Sequence, residues 1–193
     1  MQNRQKLRFI TISLMAILFT FLTQGTLSYY TATGKATNVI SSGNIQLIIH
    51  EKTASGTEFP KEGVYIVPGD VVSKQVSIEN ACEHPFYLRV KIVYGIDSQE
   101  LTAQECFKLN IDENNWKYHD GWYYYKGIVN PGETTPDVFS HVQIVGSAVD
   151  RNDIGKTLTL SVSAHAVQSE NNPVTLPDTH LASGWPAEQE APA

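Results

Sequence analysis

The sequence predicts an all-β protein: a single antiparallel β-sandwich of jelly-roll or Ig-like type, with one short helix. Three observations carry this. From Asn38 onward, runs of β-branched and aromatic residues are broken by Gly, Pro, Asn or Asp at spacings of about eight to twelve residues. Within several runs, side chains alternate with a period of two, as on a strand with two unlike faces. The chain of 193 residues is 41% hydrophobic and 18% charged, a composition that fits one globular domain and excludes both an acidic disordered tail and a multi-pass membrane protein.

The first element is not a strand. Arg4, Lys6 and Arg8 precede a mostly apolar run from Phe9 to Leu22, and Gln24, Gly25, Thr26 and Ser28 follow it. This is the basic, apolar and small-residue order of a secretory signal over residues 1–28, with cleavage expected between Ser28 and Tyr29. The alternative is an uncleaved anchor, the one way this chain would meet a membrane. A spanning helix needs about 20 apolar residues, and Thr11, Ser13 and Thr20 interrupt this shorter core. Removing Arg4, Lys6 and Arg8 from the 14 basic residues leaves 11 against 20 acidic ones, so the formal charge moves from −6 to −9. Such a surface repels phosphate backbones, and no nucleic-acid partner is expected.

Residues 29–36 (YYTATGKA) carry one charge and no proline, so their main chain can pair with an exposed sheet edge. Fraying, or pairing with their own sheet, are the plainer alternatives. The sandwich is expected over residues 37–168. Asn44–His50 and Val64–Val67 are its first strands, and Pro68-Gly69-Asp70 turns into Val71–Glu79. In Phe86–Tyr94, the residues Phe86, Leu88, Val90, Ile92 and Tyr94 form an apolar face, while Tyr87, Arg89, Lys91 and Val93 form the other. Trp116–Tyr118 and Trp122–Tyr125 flank His119-Asp120-Gly121, where Asp-Gly between aromatic runs signals a hairpin. Val138–Val145 and Thr157–Val167 complete about eight strands. Thr102 and Glu105 make a capping box for the short helix, with Ala103, Cys106 and Phe107 on one face. Beyond Gln168 the composition turns to Pro, Glu, Asn and Ala, and residues 169–193 are expected to be a flexible tail whose Trp185 could dock on the domain.

Few residues suggest chemistry. Cys82 and Cys106 form either one disulfide, allowed by export, or two free thiols, since a domain of this size needs no staple. The six histidines include no His-Glu-x-x-His pair; His119, His141 and His165 could meet only if separate strands bring them together, and no metal or cofactor is assigned. Asp150 to Gly155 (DRNDIG) lacks the later glutamate of a calcium loop, and Leu176 to His180 (LPDTH) lacks the glycine, apolar span and basic end of a wall-sorting signal. Trp116, Trp122 and Tyr124 are candidates for an aromatic surface that binds sugar rings, though alternation turns part of this cluster toward the core. No enzymatic activity is expected.

Several of these motifs together resemble a known family. Gly25-Thr26-Leu27-Ser28 followed by Tyr29-Tyr30-Thr31, then Asn38-Val39-Ile40 and Gly43-Asn44-Ile45-Gln46-Leu47, are similar to the exported TasA and camelysin family of Gram-positive bacteria. Val67-Pro68-Gly69-Asp70, Pro85-Phe86-Tyr87-Leu88-Arg89-Val90, the Asp120-Gly121-Trp122 hairpin and Pro131-Gly132-Glu133 extend the resemblance to about Val167. The chain departs from the family at Ala32, where an acidic residue is common, and is shorter than its fibre-forming members. The resemblance implies a secreted jelly-roll protein of the cell surface or biofilm matrix, released by a dedicated signal peptidase. It implies fibres built by donor-strand complementation, with Tyr29, Tyr30, Thr31, Ala32 and Thr33 in the donor strand and other copies or related matrix subunits as partners. A monomeric glycan-binding surface module is the alternative, and a camelysin-type metallopeptidase a more distant one.

Overall fold

The computed structural model describes residues 30–38, 45–67, 69–96, 99–101, 107–145 and 157–186. It is an all-β sandwich of two sheets, antiparallel except for one pair of strands. The strands are β1 (Tyr30–Asn38), β2 (Leu47–Lys52), β3 (Val64–Ile66), β4 (Val71–Asn80), β5 (Phe86–Ile96) and β6 (Gln99–Leu101). They continue with β7 (Phe107–Leu109), β8 (Trp116–His119), β9 (Trp122–Tyr125), β10 (Phe139–Ile144) and β11 (Thr157–Gln168). The larger sheet runs β3-β1-β11-β5-β9-β8, with β6 also paired to β5, and the smaller runs β2-β4-β10-β7. No helix among the described residues is long and apolar enough to cross a membrane.

Alternation does the work the sequence promised. On β4, Lys74, Val76, Ile78 and Asn80 are buried while the residues between them are partly open. Phe86, Leu88 and Val90 of β5 and Leu158, Leu160 and Val162 of β11 face them across the core, with Phe139, Val142 and Ile144 of β10 beside β4. Each such side chain contributes roughly 1.5–3 kcal/mol on leaving water. In the hairpin between β8 and β9, Asp120 (φ 46°) and Gly121 (φ 81°) both take the left-handed conformation, the two-residue turn whose twist matches the strands it joins. Gly69 (φ 96°) serves the turn before β4, where the Asp70 N–H donates to the Val67 carbonyl at 3.0 Å and the Asp70 carboxylate accepts from the Val67 N–H at 2.8 Å.

Three expectations change. Phe107, expected on a helix, opens β7; the rest of that predicted helix, residues 102–106, lies outside the described residues. The helical turn that is described is a single 3-10 turn at Thr179–Leu181. That turn lies in the expected flexible tail, whose residues 169–186 pack as irregular chain against the outer face of the larger sheet. Residues 30–36, set apart from the sandwich by the sequence reading, are part of its larger sheet.

One buried polar residue organises a corner that the pattern did not mark. Asn80, fully buried at the end of β4, exchanges main-chain bonds with the Pro131-Gly132-Glu133 turn. Its side-chain amide donates to the carbonyls of His84 and Val129, both at 2.9 Å, and its oxygen accepts from the Cys82 N–H. Every polar atom of that side chain is thereby satisfied, which is the condition for burying it.

Candidate functional site

Strand β1 occupies an unusual place. It is parallel to β11, pairing Thr31 with Thr157 through to Asn38 with Ala164. On its other side it is antiparallel to β3, with Thr31 opposite Tyr65 and Ala32 opposite Val64. Among the described pairings, β3 is joined to the sheet through β1 alone. A hairpin strand is tied to its partner by a short turn, but a parallel partner cannot be. β1 is instead adjacent in sequence to β2, a strand of the opposite sheet. Main-chain bonds therefore fix it between β11 and β3, and the buried Leu158, Leu160, Val162 and Ile66 line the inner face of those two neighbours. Of the residues expected in a donor strand, Tyr30, Thr31, Ala32 and Thr33 lie on β1; Tyr29 and the Ser28 side of the cleavage site fall outside the described residues.

The second concentration of side chains is on the outer face of the same sheet. Arg89 of β5 is 8% exposed, with its guanidinium 4.0 Å from the centre of the Trp122 ring and 5.0 Å from that of Trp185. It donates to the Pro186 carbonyl at 2.6 Å and to the Tyr124 hydroxyl at 3.3 Å, and lies 3.2 Å from His165 Nδ1. No carboxylate is among these partners. Aromatic faces and neutral oxygens do the work of a counter-ion, a weaker but drier arrangement. Below it, the His180 ring lies 4.4 Å from that of His119, Lys117 meets Asp178 at 2.6 Å, and the Thr179 hydroxyl donates to the Tyr125 carbonyl at 2.7 Å. Burial lowers the His180 pKa, and the neighbouring His119 and Lys117 lower it further, against Asp178. The hydrogen bond and charge of Lys117 hold Asp178 below the ordinary carboxylate value.

This cluster corrects the expected aromatic surface. Trp116 is 1%, Trp122 4% and Tyr124 5% exposed, so none of the three offers a face to solvent. Trp116 points into the core, beside Tyr125. Trp122 and Tyr124 point the other way, which alternation alone makes the solvent side, but Trp185 of the segment 169–186 stands against Tyr124 and the Arg89 guanidinium lies over Trp122. The exposed ring of the hairpin is Tyr118, at 62%. Its cross-strand neighbour Tyr123 stands 5.1 Å away, and burial together with Tyr118 raises the Tyr123 pKa.

The remaining sites separate. Cys82 is a free thiol whose sulfur donates to Asn80 Oδ1 and the His84 carbonyl; Cys106 lies outside the described residues. His119 stacks on His180, His165 on Trp122, and His141 bonds Ser140 on the opposite sheet. The described residues contain no group of three His, Cys, Asp or Glu side chains able to hold a metal ion. Residues 150–155 lie outside the described residues. Within Leu176 to His180, Thr179 is fully buried and Asp178 is ion-paired.

Arg89 and Lys74 were the polar residues the sequence undersold. Lys74, 3% exposed, lies 2.9 Å from Glu51, away from the hydrogen-bond direction, and 4.7 Å from the centre of the Phe59 ring. Burial lowers its pKa while Glu51 opposes the shift. A cation at an inward position of an alternating strand was the available signal for this residue. No family model, curated protein or solved structure matches the chain.

Proposed function

We propose that this is a secreted structural protein of the cell surface or biofilm matrix of a Gram-positive bacterium, and that its subunits join into fibres through their N-terminal strand. The position of β1 carries this reading. Because β1 is held between β11 and β3 by a ladder, with no hairpin to either, the equivalent strand of another copy makes the same bonds in the same slot. Exchange then replaces intramolecular main-chain bonds with identical intermolecular ones, the low-cost route to assembly by swapping. Removal of the signal by a signal peptidase after Ser28 frees the strand, so processing acts as the switch from tethered subunit to donor. The partners are other copies or related matrix subunits. No enzymatic step, cofactor or nucleic acid enters the reading.

Electron microscopy of the chain from Tyr29 to Ala193, with and without residues 29–36, tests it. Fibres are expected from the first and a folded monomer from the second, and the monomer should capture a peptide of residues 29–38. A chain from Tyr29 that stays monomeric at high concentration overturns the proposal.

A further inference from the structure

The two sheets end on one side at β8 and at β7, the terminal strands of their respective orders, and between these edges a cleft of about 1270 Å³ opens. Ile92, Leu109, Tyr118 and Tyr123 line it, with Tyr94 and Phe107 stacked 5.3 Å apart on its wall. Burial pushes the Tyr94 hydroxyl far above its ordinary range, so it is a neutral donor and acceptor at any physiological pH. Lys108, Lys117 and Lys126 also line the cleft, against Glu113 alone among the carboxylates of the described residues. Lys117 is already matched by Asp178, and Lys126 gives one of its three protons to the Glu113 carbonyl at 2.6 Å. The described lining is therefore net positive in a chain of formal charge −6, a local reversal of the protein's overall field.

We propose that this cleft binds a segment of acidic polysaccharide, with pyranose rings against Tyr118 and Tyr123 and ring carboxylates toward Lys108 and Lys126. Three features select that chemistry. The cleft is larger and more open than the roughly 300–1,000 Å³ of a typical small-molecule pocket, which suits an extended chain. The exposed Tyr118 ring and the partly open Tyr123 ring, 5.1 Å apart and tilted by 57°, present apolar faces with hydroxyls at their rims, matching a ligand that is apolar on its ring faces and polar around its edge. Its cations are few and spaced, and the acidic remainder of the surface opposes a densely charged polyphosphate. The proposal is independent of strand exchange, since none of the described lining residues lies on β1 or β3, at the far end of the larger sheet.

Calorimetric titration of the chain from Tyr29 to Ala193 with oligogalacturonate tests it, with circular dichroism confirming the fold of each variant. Binding is expected to fall about fivefold or more in Tyr118→Ala and about tenfold in the Lys108→Ala, Lys126→Ala double variant. Tyr65→Ala, exposed on β3 at the far edge of the sheet, should leave it unchanged. Absence of binding overturns the proposal, as does equal loss in all three variants. Equal affinity for polyglutamate would remove the sugar ring from it, and equal affinity for a neutral dextran oligomer would remove the charge; either result overturns the assignment.

Discussion

The two ends of the described chain lie on the same sheet and are held by opposite means. β1 is fixed by main-chain bonds to β11 and β3, interactions that any extended segment of suitable length can make. The C-terminal segment has no strand pairing there; it is fixed by particular side chains, Trp185 on Arg89, Thr179 under Tyr125, Asp178 on Lys117 and His180 on His119. A ladder is tolerant of sequence and can be supplied by another molecule, whereas a side-chain lock recognises one partner. The contrast suits an assembly in which one end is exchanged and the other stays with its own subunit.

The sharpest way to break the contrast is to remove one ladder bond. Ala32 faces Leu158 on one side and Val64 on the other, so Ala32→Pro removes a donor where both edges of β1 are paired. A loss of roughly 3 kcal/mol is expected. Hydrogen exchange should show lost protection over β11 residues 157–164 with little change at residues 179–182. If the C-terminal segment loosens equally, the two ends are one cooperative unit and the contrast fails. Trp185→Ala should do the reverse. It removes one face of the Arg89 cage and part of the small cluster with Tyr87 and Ala182, at a cost of about 1–2 kcal/mol. Protection at β1 should persist, and the fibre formation proposed above should be unaffected.

Local rules reached some parts of this molecule and not others. The registers of β4, β5 and β11 follow from alternation, and Asp120-Gly121 specified its hairpin because few other dipeptides accept two positive φ angles. β7 was misread because Phe107 fits a helical face as well as a strand, and its pairing with β10 is a contact across more than thirty residues. The outward faces of Arg89, Trp122 and Tyr124 were legible as faces; their burial was not, because the segment that meets Arg89 and Tyr124 arrives about a hundred residues after Arg89 and in irregular form, and Arg89 in turn lies over Trp122. The same reason placed the aromatic surface on Trp122 and Tyr124 when the cleft exposes Tyr118.

The lock at the C-terminal end also predicts a pH response that the ladder lacks. His180 titrates below 6.5 in the folded protein, because it is desolvated and lies beside His119 and Lys117. With the segment released, its pKa returns to the ordinary value, so below about 6.5 the released form binds more protons and the lock weakens as pH falls. Around its ring, His119 and Lys117 oppose the charged form and Asp178 favours it. Tryptophan fluorescence should therefore shift as the pH falls below about 6.5. His119→Gln should move that shift upward, while the β1 ladder is unaffected. A His180 that titrates above its ordinary value would reverse the sign and break the argument.

The smallest effect isolates the last contact. Asp178 and Lys117 are both substantially open to water, so Asp178→Asn should leave the thermal midpoint at neutral pH almost unchanged. Its signature is in the pH profile. Asp178 is held below 3.8 by Lys117, so its contribution is present above that value and lost as pH falls through the lowered one. The Asn variant should lose this acid limb of the release curve. It should also lower the His180 pKa further, since Asp178 is the neighbour that favours the charged ring. Nuclear magnetic resonance titration of the His180 ring reads both changes. A downward shift at His180 without movement at β1 would place the ion pair and the imidazole in one lock, separate from the N-terminal strand.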